Sequence, residues 1–287
     1  MLKKVFTLIT ALSLALVALA FGTTVSVAAT PASKIVSLSP SATEDLFAIG
    51  AGSQVVAVDD LSNFPTTAPI TKLSAFTPNV EAIAAYSPDL VIINSTATGA
   101  DSVKSQLNSL GIQVYMEKTP SVIADAYSEI SDLGAATGRT AAATTLITSM
   151  QKKIATALSV ARKTKSLTFF HELDNTLYSA TSDTFIGHVY KDFHLTNIAD
   201  KAAKADSGGY PQLQREYVIK ANPAIIFLAD SQYGENAATV AKRAGWKSIS
   251  AVTKHQVLAL PADIPSRWGP RLVDFYQFIA QAIKSAK

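Results

Sequence analysis

Side chains that could hold a metal ion are few in this sequence. Of its four histidines, His171 is followed directly by Glu172, while His188, His194 and His255 come later. Imidazole and carboxylate groups suit zinc or manganese. All four histidines fall in the second half of the chain, so a metal site between the two halves would receive no histidine ligand from the first half. The sequence therefore predicts no site for a bare metal ion.

Motifs that would identify an enzyme are absent. The chain has no Gly-x-x-x-x-Gly-Lys phosphate loop, no Gly-x-Ser-x-Gly nucleophile turn and no His-Glu-x-x-His zinc helix. Cysteine is missing altogether, which excludes thiol nucleophiles and thiolate metal sites. Serine, histidine and aspartate are present, but their presence in a chain of 287 residues identifies no catalytic set. We therefore expect a protein that is not an enzyme and has no cofactor.

Arginine and tryptophan near the C-terminus could recognise a small molecule. Arg267, Trp268 and Arg271 stand together before the last predicted helix. A guanidinium recognises carboxylate, phosphate or amide oxygens in a fixed planar geometry, and an indole offers a large flat apolar face. Arg267 and Trp268 are therefore candidate binding residues. Arg271 is explained at least as well by a helix cap or a surface ion pair.

Alternating strands and helices must position these side chains. Apolar runs predict strands at 34–38, 54–58, 89–93 and 112–116, with helices between them. Strands that are apolar along their whole length and alternate with helices are typical of a parallel sheet. Strands resume at 166–170, 224–228 and 256–260. The sequence thus predicts two groups of parallel strands.

The stretch 121–163 separates the two groups. It has apolar residues at helical spacing and no strand-like run, so it predicts one or two helices. Gly134 and Gly138 could divide it, with the longer helix starting near Thr140. We predict an α/β fold with two Rossmann-like lobes, 30–120 and 164–287, whose mostly parallel sheets are joined by one long helix within 121–163. A ligand cleft is expected between the lobes.

An internal repeat supports two related lobes. Glu81 precedes Pro88, and Glu216 precedes Pro223 with the same spacing; an apolar strand follows each proline. A short helix, a proline that ends it and a buried strand explain both segments. Because the order of elements also agrees on both sides, duplication explains the match better than chance does.

The N-terminal residues predict export. A short basic start, 1–4, precedes an apolar run at 5–21 and the small residues at 27–29. This layout is typical of a signal peptide, 1–29, cleaved near Ala29, although the run is almost long enough for an uncleaved anchor. Since a lipid anchor through an N-terminal cysteine is excluded, we expect a periplasmic or otherwise extracytoplasmic protein that is not a lipoprotein.

The charge of the chain argues against nucleic acid as a partner. The formal net charge is +3, and removing Lys3 and Lys4 with the signal peptide leaves 3 − 2 = +1. No dense basic run remains to neutralise a phosphate backbone. We expect a monomer that binds a small molecule.

Four segments resemble a known family. These are 35–44 (IVSLSPSATE), 79–83 (NVEAI), 87–92 (SPDLVI) and 211–216 (PQLQRE). They resemble the cobalamin, haem and ferric-siderophore branch of ABC substrate-binding proteins, and the likeness covers essentially the whole chain after residue 29. The last segment, with 266–271, is most similar to the cobalamin-binding subgroup.

The resemblance implies a receptor for an ABC importer. Such a protein would capture cobalamin or a related corrinoid between its lobes and deliver it to a dimeric permease. A ferric siderophore is the next candidate ligand and haem the third. A two-lobed hydrolase or metal enzyme is the remote alternative, which would not explain the repeated glutamate.

The same resemblance implies particular ligand-binding residues. Phe76 and Tyr210 fall where cobalamin-binding members carry aromatic residues that face the corrin, although each ring could instead pack against its own loop. Leu61 departs from the pattern, because an aromatic residue is common there. Ligands of open α/β sheets bind at the carboxyl ends of strands. That rule adds Ser39, Asp60 and His171, the last of which could reach the iron of haem.

Glu81 and Glu216 carry a second implication of the resemblance. In the family, acids at these positions dock onto arginines of the two permease subunits, one lobe to each. The plain alternative is that each glutamate stabilises the N-terminus of its own helix by about 0.3–1 kcal/mol. The two roles are compatible.

Overall fold

The computed structural model describes residues 30–161, 166–204, 206–261 and 263–286. The predicted signal peptide, 1–29, lies outside the described residues. Within the described chain, no helix combines the length and the apolar character that crossing a bilayer requires. The fold consists of two parallel sheets with helices packed on their faces, which confirms the predicted α/β class.

The first sheet has five parallel strands, in the order β3-β2-β1-β4-β5. They are β1 (Ile35–Leu38), β2 (Val55–Asp59), β3 (Ile70–Leu73), β4 (Leu90–Asn94) and β5 (Gln113–Glu117). Every residue of β1 is buried, because helices cover both faces of the sheet. On one face lie α1 (Pro40–Ala48) and α4 (Ile123–Ala136), and on the other lie α2 (Val80–Ala84) and α3 (Ala100–Ser109).

The second sheet has four parallel strands, in the order β7-β6-β8-β9. They are β6 (Thr168–Glu172), β7 (Thr196–Asn197), β8 (Ile225–Leu228) and β9 (Val257–Ala259). The helices of this half are α6 (Phe185–Asp192), α7 (Arg215–Ala221), α8 (Ala237–Lys242), α9 (Ser250–Thr253) and α10 (Leu272–Ser285). Strand β8 is entirely buried and apolar, like residues 90–93 of β4, its counterpart in the internal repeat.

The long helix between the sheets is α5, Thr140–Leu158, and it begins at the predicted residue. It follows α4 after a turn at Gly138, whose φ of +71° lies in the left-handed region that favours glycine. A Cβ at Gly134 would lie 2.5 Å from Cβ of Ala143, so α4 and α5 pack in close contact. The exact limits of the two lobes stay a prediction.

One hydrophobic core extends across both halves of the fold. It contains residues of the first sheet such as Ile92, residues of the second sheet such as Phe227, and Ile154 of α5 between them. Helix α10 buries Phe275 and Ile279 in the same core. Because apolar contacts continue from lobe to lobe, the lobes are joined by packing as well as by the connecting chain.

Candidate functional site

The carboxyl ends of the first sheet border a cavity of about 300 Å³. Its wall includes Ser39 after β1, Leu61 after β2 and Phe76 after β3. Arg267 and Trp268, which come from the second half of the chain, close the other side. The structure therefore brings four of the predicted binding residues, Ser39, Phe76, Arg267 and Trp268, to one cavity, which we call the first cavity.

A larger cavity of about 1030 Å³ contains Tyr210. Gly208 and Gly209 precede this tyrosine with φ angles of +57° and +88°, a turn that leaves its ring 44% exposed. Hydroxyl side chains at 181–184 and at 119–121 line the same space. Thr119 borders both cavities, so this second cavity adjoins the first one. Burial raises the pKa of Tyr210, which keeps its phenol protonated at neutral pH.

Ser39 is held by hydrogen bonds rather than left free. Its hydroxyl donates to Oε1 of Glu117 at 2.6 Å and accepts from the backbone N–H of Ala42, which caps α1. Phe76, by contrast, is 68% exposed. A large exposed aromatic face beside a cavity is suited to stacking on a flat ligand.

Arg267 and Trp268 connect the two halves of the chain. Arg267 donates through Nη2 to the carbonyl oxygen of Leu61 at 3.2 Å, while its buried Nε has no partner. The indole N–H of Trp268 lies 3.1 Å from Oε1 of Glu117 and 3.1 Å from Oε2 of Glu129. A buried N–H without a partner is costly, and the guanidinium that carries it is a group that recognises ligand oxygens.

Buried carboxyl groups lie beneath Trp268. Burial raises the pKa of Glu129 to about 11, and the neighbouring Glu117 and Asp45 add to the shift. The pKa values of Glu117 and Asp45 are raised as well, in both cases mainly by burial. Glu129 is therefore a neutral acid at neutral pH, and burial favours the protonated form of Glu117 and Asp45. None of the three was predicted as a site residue from the sequence, although Glu117 is the first charged residue after a predicted strand.

His171 does not line either cavity, which corrects the sequence prediction. Its side chain is fully buried in the core of the second lobe, where Nδ1 lies 2.9 Å from the hydroxyl of Tyr190. Burial lowers its pKa to about 3, so the imidazole is neutral. The reason is that α6 covers this end of β6 and places Tyr190 against the ring.

Asp60 also lies outside both cavities. Its side chain is exposed beyond the end of β2, whereas the preceding Asp59 is buried and accepts hydrogen bonds from Leu61 and Ser62. Within the described chain, no group of three or more histidine, aspartate and glutamate side chains is arranged to hold a metal ion.

Glu81 and Glu216 occupy matching positions on the two lobes. Each is exposed and is the second residue of a short helix, α2 and α7 respectively. Each helix leads to a buried strand next to the first strand of its sheet, β4 beside β1 and β8 beside β6. Neither glutamate borders the first or the second cavity.

Comparison with known proteins places these features in a family. The family model described as periplasmic binding protein matches residues 35–264. An uncharacterised ABC transporter substrate-binding lipoprotein of Bacillus subtilis, YvrC, is 33% identical over 87% of this chain and 79% of its own length. A vitamin B12-binding protein of Vibrio cholerae is 28% identical over 90% of this chain and 91% of its own.

A solved structure shows the same fold. It belongs to a possible iron-binding, periplasmic solute-binding protein of Staphylococcus epidermidis, with 25% identity and a TM-score of 0.74. The match covers 88% of this chain and 99% of that one.

One sequence prediction is corrected by these comparisons. The expectation that the exported protein is not a lipoprotein rested on the absence of cysteine alone. It is contradicted by the Bacillus subtilis relative, which is described as a lipoprotein. The extracytoplasmic location is supported by the family description. The family model matches residues 35–264, and the structure has two parallel sheets with a cavity at the strand ends. The chain therefore belongs to the periplasmic binding protein family.

Proposed function

We propose that this protein captures cobalamin or a related corrinoid in the two adjoining cavities and delivers it to the permease of an ABC importer. The observation that carries the proposal is the first cavity, where Phe76, Arg267 and Trp268 converge. Aromatic faces suit a flat macrocycle, and a guanidinium suits the amide and phosphate oxygens around it. The vitamin B12-binding relative of Vibrio cholerae supports this choice.

The size of the site is consistent with a large ligand. The two cavities measure about 300 and 1030 Å³ and meet at Thr119. Pockets for drug-sized ligands span roughly 300–1,000 Å³. A bare ion or an amino acid would leave most of this space empty, whereas a corrinoid would use it.

A ferric siderophore or haem is the second candidate ligand. The half-exposed phenol of Tyr210 lies in the wall of the second cavity and is a side chain that ferric iron accepts as a ligand. The solved relative with a possible iron-binding role supports the same class. Tyr210 could thus serve either as a stacking face or as an iron ligand.

The ligand is returned unchanged in this proposal, because the protein acts as a monomeric receptor without a cofactor and not as an enzyme. Recovery of intact ligand after denaturation is the expected result. Consumption of the ligand would favour the hydrolase or metal enzyme that the sequence left as a remote alternative.

Docking to the permease is assigned to Glu81 and Glu216. Their matching positions on the two lobes suit a partner built from two similar subunits, since like charges at like positions can meet symmetric cations. Their distance from the cavity walls leaves both carboxylates free for a protein partner.

A thermal-shift screen tests the ligand assignment. Cobalamin at about 100 times its dissociation constant is expected to add about 2.7 kcal/mol to the free energy of unfolding. Cobinamide, haem and several ferric siderophores are measured alongside. Phe76→Ala should weaken the effect of cobalamin, whereas Tyr86→Ala, which removes an aromatic ring outside both cavities, should not. Stabilisation by an iron ligand and not by a corrinoid would overturn the assignment.

Tryptophan fluorescence tests the location of the site. Trp246 is fully buried between Phe170 and Arg243, whereas Trp268 borders the first cavity. Cobalamin binding is therefore expected to change the emission of Trp268, and Trp268→Phe should remove most of the change. Loss of the signal in Trp246→Phe instead would mean that the ligand binds elsewhere.

A further inference from the structure

A segment of the second lobe crosses onto the first lobe. We call Asp263–Arg271 the strap. Besides the bond from Arg267 to Leu61, it accepts a hydrogen bond from Asn63 at Asp263, and the backbone N–H of Trp268 lies 3.3 Å from Oγ of Ser41. These contacts attach the wall of the first cavity to the first lobe.

The strap lies in close contact with helix α1. A Cβ placed on Gly269 would lie 3.2 Å from Cβ of Glu44, 3.2 Å from the carbonyl oxygen of Ser41 and 3.4 Å from Oδ1 of Asp45. Only a residue without a side chain fits there comfortably. The backbone of the strap therefore covers the carboxyl of Asp45.

Three carboxyls from three different elements meet under this cover. They are Asp45 on α1, Glu117 at the end of β5 and Glu129 on α4. The indole N–H of Trp268 reaches both Glu117 and Glu129, which are also hydrogen-bonded to each other. A hydrogen bond between two carboxyls requires a proton on one of them. Asp45 is fully buried, and neither of its oxygens has a partner.

Among the described residues, no cation forms an ion pair with the carboxyls of this cluster. Of the two arginines of the strap, Arg271 is paired with Glu44, and Arg267 contacts Leu61 and Asp263. The hydroxyl of Tyr115 donates to Asp132 of α4 at 3.3 Å. Glu117 receives its remaining hydrogen bonds from neutral groups, Ser39 and Asn94. Within the described chain, no ion pair joins a cation to Asp45, Glu117 or Glu129.

We propose that Asp45, Glu117 and Glu129 form a proton-held latch: the cluster holds protons while the strap covers it, and separation of the strap from the first lobe releases them to water. In each release the carboxyl O–H bond breaks, the carboxylate keeps the electron pair and the proton passes to solvent. The latch does not depend on which ligand binds. Its consequence for ligand release rests on the proposed function, because Arg267 and Trp268 of the strap wall the first cavity.

The pH dependence follows from the two states of each carboxyl. Under the strap, burial raises the pKa of Glu129 to about 11, and the exposed group would return towards about 4.3. Between these values the covered state binds the extra proton, so rising pH favours separation. Each such carboxyl contributes up to about a tenfold change in the opening equilibrium per pH unit.

Spin labels measure the separation directly, since the sequence contains no cysteine. The exposed residues Asn108 of α3 and Lys247 of the second lobe are replaced, as Asn108→Cys and Lys247→Cys, and labelled. Without ligand, the population with the longer interlobe distance is expected to grow relative to the shorter one between about pH 6 and pH 9. A decrease, or no change, would overturn the latch.

Substitutions identify the groups responsible. Glu129→Gln can still accept the indole N–H and donate to Glu117, but it cannot titrate. In this variant the ratio of the longer to the shorter interlobe distance should therefore rise less steeply with pH, by up to about tenfold per pH unit. Glu117→Gln is a second variant with the same expectation, and circular dichroism checks that both are folded. Asp132→Asn, an exposed position on the same helix, should respond like the wild type. An unaltered response in both glutamine variants would show that other groups titrate, and the latch would be rejected.

Discussion

Replacing Arg271 with methionine is expected to lower the free energy of unfolding by about 3–5 kcal/mol. The guanidinium holds both carboxylate oxygens of Glu44, with Nε 2.9 Å from Oε2, and the side chain of Glu44 is only 2% exposed. Methionine keeps the length and the apolar stem of arginine. The loss therefore comes mainly from leaving a buried carboxylate without its partner.

Urea unfolding of single and double variants checks this expectation. Adding Glu44→Gln to Arg271→Met should recover most of the loss, because the unpaired charge disappears. The stacking of Arg271 over Phe64, at 4.4 Å from the ring centroid, contributes about 0.5–1 kcal/mol and would stay lost. Arg139→Met, at an exposed position, should change stability by less than about 0.5 kcal/mol. A single-variant loss as small as that of the control would contradict the role of the pair.

The strands buried on both faces are among those that the sequence predicts. Leu90–Asn94 and Ile225–Leu228 are central strands covered by helices, so residues 90–93 and 225–228 form apolar runs that local pattern can identify. Two edge strands, β5 and β9, were also predicted, at 112–116 and 256–260, but the other two, β3 and β7, were not. Ile70–Leu73 is mostly exposed and Thr196–Asn197 has only two residues, so neither leaves an apolar signature. Local pattern detects a run of apolar residues, and the two missed edge strands lack one.

The candidate site could be predicted only in part, for a related reason. The position of strand ends and the family resemblance predicted four binding residues that the structure places in adjoining cavities: Phe76, Tyr210, Arg267 and Trp268. The pairing of Arg271 with Glu44 joins residues 227 positions apart, and no local pattern contains it.

The burial of His171 also depends on a residue that is distant in the sequence. Its surroundings depend on Tyr190, which α6 brings over the strand, and the strand's own residues give no sign of this cover. The buried carboxyls under Trp268 were likewise invisible, because they come from three separate elements. A site made by distant segments therefore needs the fold before its members can be recognised.

The second large effect is expected at the permease. Glu81→Ala combined with Glu216→Ala should weaken complex formation severely, because truncating one partner of a buried interfacial charge pair costs about 2–5 kcal/mol. That range corresponds to roughly 30-fold to several thousand-fold in the dissociation constant for each pair. Affinity for the ligand should stay close to that of the wild type, since neither carboxylate borders a cavity.

A matched control separates docking from helix stabilisation. Asp101 and Asp274 are also exposed acids in the first turns of their helices, α3 and α10. Asp101→Ala with Asp274→Ala removes the same favourable charge from two helix N-termini, worth about 0.3–1 kcal/mol each. Complex formation should survive in this control. If it falls as far as in the glutamate variant, helix stability and not docking explains the effect.

Single substitutions test the symmetry that motivates the assignment. Glu81 and Glu216 hold the same position in α2 and α7, so a partner with two similar subunits should bind both in the same way. Glu81→Ala and Glu216→Ala are therefore expected to weaken the complex by similar factors. Ligand binding and complex formation are measured on the same preparations. A complex that survives the double substitution while ligand affinity falls would place the two glutamates in the binding site, and the docking role would fail.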